Sequence, residues 1–216
     1  MIFLEKTRII FLRHGQSEGN LRGEFIGQGN APLTEKGHAQ AKAAAEYLKN
    51  EKIDLFYASD LKRAFDTGKH VADWFGMEII PEKELREIEA GSWEGKPFEE
   101  LARENEDFKL WLSDIGASRA TDGESVKELY DRVNAFVDTL TEKHKGKTIL
   151  CATHATPIRA ILCKAKGLSA KDMQKIPWTA NASVTIIDYF GDEVKIVVEG
   201  NADFQGELKT ALPRGV

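Results

Sequence analysis

Three strand-length segments with apolar centres, Thr7–Leu12, Ile53–Ala58 and Thr148–Ala152, alternate along this chain with longer segments of helical periodicity. That alternation constrains the fold more than any other feature of the sequence. The run Ile9-Ile10-Phe11-Leu12 has no polar residue to turn toward water, so it suits a strand covered on both faces. A parallel sheet between two layers of helices provides such cover.

The intervening segments supply those helices. Thr34 followed by Glu35 marks the start of a helix reaching about Asn50. A second helix begins near Leu61, with Ala64, Phe65, Gly68, Val71, Ala72 and Phe75 along one face. Residues 78–95 read as a short extended piece and a loop, and Phe98–Glu104 as a short helix whose acidic run faces solvent. Residues 105–123 form the least regular section, anchored by Trp111 and Leu112. Ser125 and Glu128 have capping-box spacing ahead of a long helix whose buried face is Val126, Leu129, Tyr130, Val133, Phe136, Val137 and Leu140. Thr156-Pro157 reads as an N-cap and first helical residue. Ser183–Phe190 and Glu193–Glu199 flank Gly191-Asp192 and predict an edge hairpin, and the polar residues 201–216 are expected to be partly loose. The expected fold is a three-layer α/β/α sandwich, its sheet mostly parallel with an antiparallel edge strand, in one domain spanning residues 1–216.

Composition narrows the partners. Hydrophobic residues make up 42% and charged residues 30% of the 216, enough for a sizeable core. The formal net charge of −5 disfavours nucleic acid or an anionic membrane as a partner, but a few clustered arginines can still bind a small anion. No segment has the length and apolarity of a membrane span, and charges interrupt the N-terminal stretch where a signal peptide would be continuously apolar. Cys151 and Cys163 lack metal-site spacing and read as buried free thiols. A cytoplasmic protein with no metal and no cofactor is expected, as a monomer or homodimer.

The residues able to do chemistry follow the predicted strands. Arg13-His14-Gly15 comes directly after the first, Arg63 just past the second and His154 just past the third. Parallel strands would bring all of them to one rim, where α/β sheets bind ligands. A neutral imidazole is a nitrogen nucleophile that can hold a phosphoryl group, and guanidinium groups match phosphate oxygens in bidentate geometry. His154 could donate to a phosphate oxygen, with the helix N-terminus at Thr156-Pro157 aimed at the same place. Asn20 and Ser17 add neutral donors from the glycine-rich loop, and Gly15, Gln28 and Ala155 are further phosphate-binding candidates. A leaving alkoxide needs a proton, for which Glu87 is the candidate; its chemistry alone does not separate it from Glu89 and Glu94.

Taken together, these segments resemble the histidine phosphatase superfamily in its phosphoglycerate-mutase-like branch. The resemblance rests on Arg13-His14-Gly15 with Ser17 and Asn20, on Gly27 with Pro32-Leu33-Thr34 and Gly37, and on Ser59, Leu61, Arg63, Ala64 and Thr67. It continues through Leu85-Arg86-Glu87-Ile88, Gly91, Trp93-Glu94-Gly95, Gly123-Glu124-Ser125, and His154 with Ile158-Arg159, covering residue 7 to about 190. It implies that His14 is the phosphorylated nucleophile, Glu87 rather than Glu89 the proton donor, and Arg13, Arg63 and His154 the phosphate clamp. Two departures stand out: Ala155 where the family usually has glycine, and Asn30 where many relatives carry aspartate.

The expected activity is metal-independent hydrolysis of a small phosphorylated metabolite. The alternative is a cofactor-dependent phosphoglycerate mutase; against it, residues 88–120 hold no Arg-Arg pair, and Ala90 stands where such a mutase resemblance implies tyrosine. An inactive binding module is the third reading. Arg22, Arg119 and Arg159 suit surface or structural roles at least as well as substrate contact. His38, His70 and His144 read as structural residues without partners, and Trp74, Trp93, Trp111 and Trp178 as core or pocket wall.

Overall fold

Alternate residues of the first strand, β1 (Thr7–Arg13), face opposite layers, Ile9 and Phe11 into one core and Ile10 and Leu12 into another. All four are fully buried, each contributing roughly 1.5–3 kcal/mol of transfer free energy. The computed structural model describes residues 5–211. After β1 come α1 (Glu18–Arg22), α2 (Glu35–Leu48), β2 (Leu55–Ser59), α3 (Lys62–Phe75) and β3 (Ile80–Glu82). The chain continues through α4 (Phe98–Glu104), α5 (Glu106–Ser113), α6 (Val126–Lys143), β4 (Thr148–Thr153) and α7 (Ala155–Ala165), and then the strands β5 (Val184–Phe190) and β6 (Glu193–Asn201).

The sheet order is β3-β2-β4-β1-β5-β6. Strands β1 to β4 are mutually parallel, β5 runs antiparallel to β1, and β6 pairs antiparallel with β5. Helices α2 and α3 cover one face with Ala44, Leu48, Val71 and Ala72. On the other face α6 and α7 bury Leu129, Val133, Ile158 and Ile161. The three-layer sandwich is thus the observed one. Among the described residues no helix is long and apolar enough to cross a membrane.

Local chemistry sets most element starts. The Thr34 side chain accepts the Gly37 N–H at 3.0 Å, and Ser125 and Glu128 exchange 3.2 and 2.8 Å bonds as a capping box. Five expectations are corrected. Helix α7 begins at Ala155 with His154 as N-cap, so Thr156 and Pro157 lie within its first turn; any of the first four positions tolerates proline, because their N–H groups lack intrahelical partners. The irregular section contains α5, capped by Asn105, whose side chain accepts the Phe108 N–H at 2.8 Å. Asn105 is both the C-cap of α4 and the N-cap of α5, so no loop separates the two helices in the sequence. Residues 203–208 are packed rather than loose: Phe204 stacks on Tyr47 at 4.4 Å and Gln205 donates to the Asn181 carbonyl at 2.8 Å. The segment 212–216 lies outside the described residues.

The fourth correction concerns partners. His38 Nδ1 and His70 Nε2 share a 2.9 Å hydrogen bond between α2 and α3, and His144 bonds the Tyr57 hydroxyl at 3.2 Å. Trp74 is 55% exposed rather than core, since its position on α3 faces away from the sheet. Cys151 and Cys163 are buried free thiols.

Candidate active site

Strands β1 and β4 are neighbours whose connections leave in opposite directions, β1 toward β2 through α2 and β4 toward β5 through α7. The crevice at the carboxyl ends of such a pair is where doubly wound sheets bind ligands. Arg13 ends β1, His14 follows it, and His154 follows β4. The His14 N–H donates to the Thr153 carbonyl at 2.9 Å, extending the β1–β4 ladder by one residue and fixing where the imidazole starts. Ser59 ends β2, and Arg63 lies in the first turn of α3. The carboxyl-end rim therefore collects all four residues.

Two contacts assign the His14 tautomer. Its Nδ1 lies 2.7 Å from the Gly15 carbonyl, which can only accept, so Nδ1 carries the hydrogen. Arg63 Nε–H donates to His14 Nε2 at 3.3 Å, so Nε2 carries the lone pair. Burial, then the nearby guanidiniums of Arg63 and Arg13, hold the imidazole well below its ordinary pKa, keeping it neutral. Gly15 is required by close approach: a β-carbon there would collide with the Gly37 carbonyl, where α2 crosses the loop.

His154 is fully buried with its ring 5.2 Å from that of His14. Burial, then Arg63 and His14, depresses its pKa as well. Its Nε2 lies 2.8 Å from Ser59 Oγ, which also accepts the Leu61 N–H at 3.3 Å. The assignment that leaves no hydroxyl hydrogen unused has Ser59 donating to Nε2. His154 Nδ1–H is then a buried donor without a partner among the described residues, as is Arg13 Nε.

The guanidiniums are held by carbonyls. Arg63 donates to Gly29 and Gly27 at 2.8 and 2.7 Å and to Ile26 at 3.3 Å, leaving Nε turned to His14 rather than the free bidentate fork expected. Arg13 donates to the Thr179 carbonyl. Burial lowers both to about 10, with Glu87 countering, so both remain cationic at neutral pH. Two cations facing one buried carboxylate and two neutral imidazoles leave an excess positive charge, which suits an anion.

Glu87 is buried at this rim. Its Oε1 accepts the Ile88 N–H at 2.9 Å and its Oε2 the Thr156 N–H at 3.3 Å, so it occupies one N-terminal amide of α7 that sequence reasoning reserved for phosphate. Arg132 of α6 secures the preceding backbone by donating to the carbonyls of Glu84, Arg86 and Glu87 at 2.7, 3.0 and 3.0 Å. Glu124 closes the clamp by accepting from Arg132 at 2.7 Å and from the Glu89 N–H at 3.2 Å. Neither arginine nor glutamate was singled out for this task from sequence; their spacing of eight is legible only once α6 is laid beside the loop.

A cleft of about 640 Å³, open to solvent, is lined by Arg13, His14, Asn20, Arg63, Glu87 and Ala155 together with residues not foreseen, chiefly Glu24, Phe25, Phe98 and Thr156. Trp111 and Trp178 line it too, as pocket wall. Four expected residues lie off its wall, the first of them His154, which is fully buried behind it. Ser17 is fully buried and caps α1 by accepting the Asn20 N–H at 3.2 Å. Gly15 acts through its carbonyl. Gln28 is turned outward, donating to the Glu87 carbonyl at 3.3 Å and accepting from Arg86 at 3.1 Å. Of the rival carboxylates, Glu89 and Glu94 are exposed and Glu94 instead accepts the Gly27 and Gln28 amides. Asn30 accepts the Lys62 N–H at 3.1 Å at the start of α3, a role aspartate could also fill.

Residues 9–202 match the family described as the histidine phosphatase superfamily, branch 1. Phosphoserine phosphatase 1 of Hydrogenobacter thermophilus is 33% identical over 185 residues, covering 84% of this chain and 86% of that protein. Phosphoglycerate mutase-like protein 4 of Arabidopsis thaliana is 33% identical over 203 residues, 92% of this chain and 86% of that one. The solved structure of Bacillus stearothermophilus YhfR superposes with a TM-score of 0.87 at 26% identity, covering 92% of this chain and 99% of its own. From the Arg13-His14-Gly15 rim and the match over residues 9–202, the chain belongs to branch 1 of the histidine phosphatase superfamily.

Proposed function

We propose that this protein hydrolyses a small phosphomonoester through a phosphohistidine on His14, without a metal. The observation that carries the reading is the His14 tautomer: a neutral imidazole whose Nε2 lone pair faces the Arg63 guanidinium in a buried, cationic rim. Kinship with a protein named as a phosphatase supports the same reading.

In the first step Nε2 of His14 attacks phosphorus and the P–O bond to the alcohol breaks, while Glu87 gives its proton to the leaving oxygen. Charge on the transferring oxygens is met by Arg13, Arg63 Nε–H and Asn20, which line the cleft, and by the unpartnered Nδ1–H of His154, buried beside His14. Those guanidiniums supply the positive charge that a divalent ion gives other phosphoryl-transfer enzymes. In the second step water attacks the phosphohistidine, the P–N bond breaks, and the Glu87 carboxylate takes the proton from water. Orthophosphate leaves and His14 is neutral again.

The test is turnover of p-nitrophenyl phosphate in the presence of a chelator. The expected result is phosphate release with an acid-labile phosphoenzyme, and a loss of at least about a thousandfold in His14→Ala. Full activity in His14→Ala, or activity abolished by the chelator, would overturn the mechanism. Conversion of 3-phosphoglycerate to its 2-isomer faster than phosphate appears would make the protein an isomerase instead.

A further inference from the structure

We infer that, on the hydrolase reading above, the cleft selects phosphate monoesters of uncharged, predominantly apolar alcohols over esters carrying a second anion. The charge is unevenly distributed along the cleft. Both of its guanidiniums, Arg13 and Arg63, belong to the phosphate end. The remaining wall is aromatic, built from Phe25, Phe98, Trp111 and Trp178. Phe25 meets Phe98 and Trp111 edge-on at 5.7 and 5.4 Å, and Trp111 lies 6.2 Å from Trp178, so the four form one continuous surface. Among the described residues the sole ionised group on that wall is an anion, Glu24, which Arg22, itself outside the lining, binds at 2.8 Å.

Another buried cation nearby does not alter this. The Arg159 guanidinium lies 4.0 Å from the centroid of Trp178, and two of its nitrogens donate to the Ile176 and Met173 carbonyls at 2.8 Å each. Its Nη1 has no partner among the described residues, but the side chain is absent from the cleft lining and meets Trp178 instead. A carboxylate or second phosphate seated against this wall would shed water and gain no cation. An alkyl or aryl group there would bury apolar area at roughly 25 cal/mol per Å².

The experiment compares kcat/KM for n-hexyl and 2-phenylethyl phosphate with that for 3-phosphoglycerate and phosphoserine, all esters of alkyl alcohols. The expected result is a preference of at least about tenfold for the first pair. Phe98→Ala should reduce that preference several-fold while inhibition by inorganic phosphate is unchanged, which also reports that the variant is folded. Glu24→Gln, at a partly buried side chain, should raise turnover of 3-phosphoglycerate relative to hexyl phosphate. Equal or faster hydrolysis of the carboxylated esters would overturn this selectivity and leave hydrolysis standing. If no ester releases phosphate and no phosphohistidine forms, the hydrolase reading itself falls.

Discussion

At His14 and His154, burial and neighbouring guanidiniums hold each imidazole well below its ordinary pKa of 6.5. The sign of the consequence follows from linkage. Below about pH 6.5 the unfolded chain binds protons that the folded one refuses, so stability rises with pH there and falls on acidification. Thermal melts should show a falling Tm between pH 7 and pH 5, and His14→Asn should flatten the slope. The acid limb of kcat/KM, which reports the free enzyme, should lie below the ordinary histidine range for the same reason. A steeper loss of stability in His14→Asn would contradict the assignment. Gly37 offers a steric test, since a β-carbon there would collide with the Gln16 carbonyl. Gly37→Ala should cost about 1–3 kcal/mol in denaturant unfolding and loosen the loop that carries Gly15.

At the scale of elements, α6 positions Glu87, the proposed proton donor. Arg132 binds three carbonyls of the Glu84–Glu87 segment and Glu124 ties down Glu89, so the loop is held from α6. Arg132→Met should lower kcat by about 10–100-fold with a smaller change in KM, because a displacement near 1 Å suffices to lose that much. Arg132→Lys should rescue little, an ammonium being unable to span three carbonyls. Equal changes in kcat and stability with unaltered pH dependence would mark Arg132 as merely structural. The helices legible in sequence were α2, α3 and α6, with a long period or a strong cap, the short α4, and α7 with its start displaced. Helix α1, five residues started by Ser17, is too short to carry a repeat, and α5 was missed because Asn105 ends α4 and starts α5 with no loop between them.

For the whole molecule, the rim has two buried guanidiniums against one buried carboxylate, and a bound oxyanion relieves that imbalance. Inorganic phosphate at about a hundred times its Kd should stabilise the fold by about 2.7 kcal/mol, read as a Tm several degrees higher. An unchanged Tm, in phosphate concentrations that inhibit turnover, would show that the anion binds elsewhere.

Most of the rim could be read from one dimension. Strand-end placement put Arg13, His14, Arg63 and His154 on one edge because β1, β2 and β4 are parallel, and parallel order is implied by alternating strands and helices. Three things needed the tertiary structure. Whether Ser17, Gly15 and Gln28 face the cleft depends on side-chain direction within a loop that has no period. The clamp of Arg132 and Glu124 on the Glu87 loop joins residues some 45 positions apart. The aromatic wall gathers Phe25, Phe98, Trp111 and Trp178 from four separate segments. Sequence alone determined the family and the layered fold and supplied the candidate residues for chemistry, since each is written in local pattern and short motif. Only the fold decided which way His14 presents its lone pair and what the cleft offers to the rest of a substrate, because both depend on contacts between segments distant in the chain.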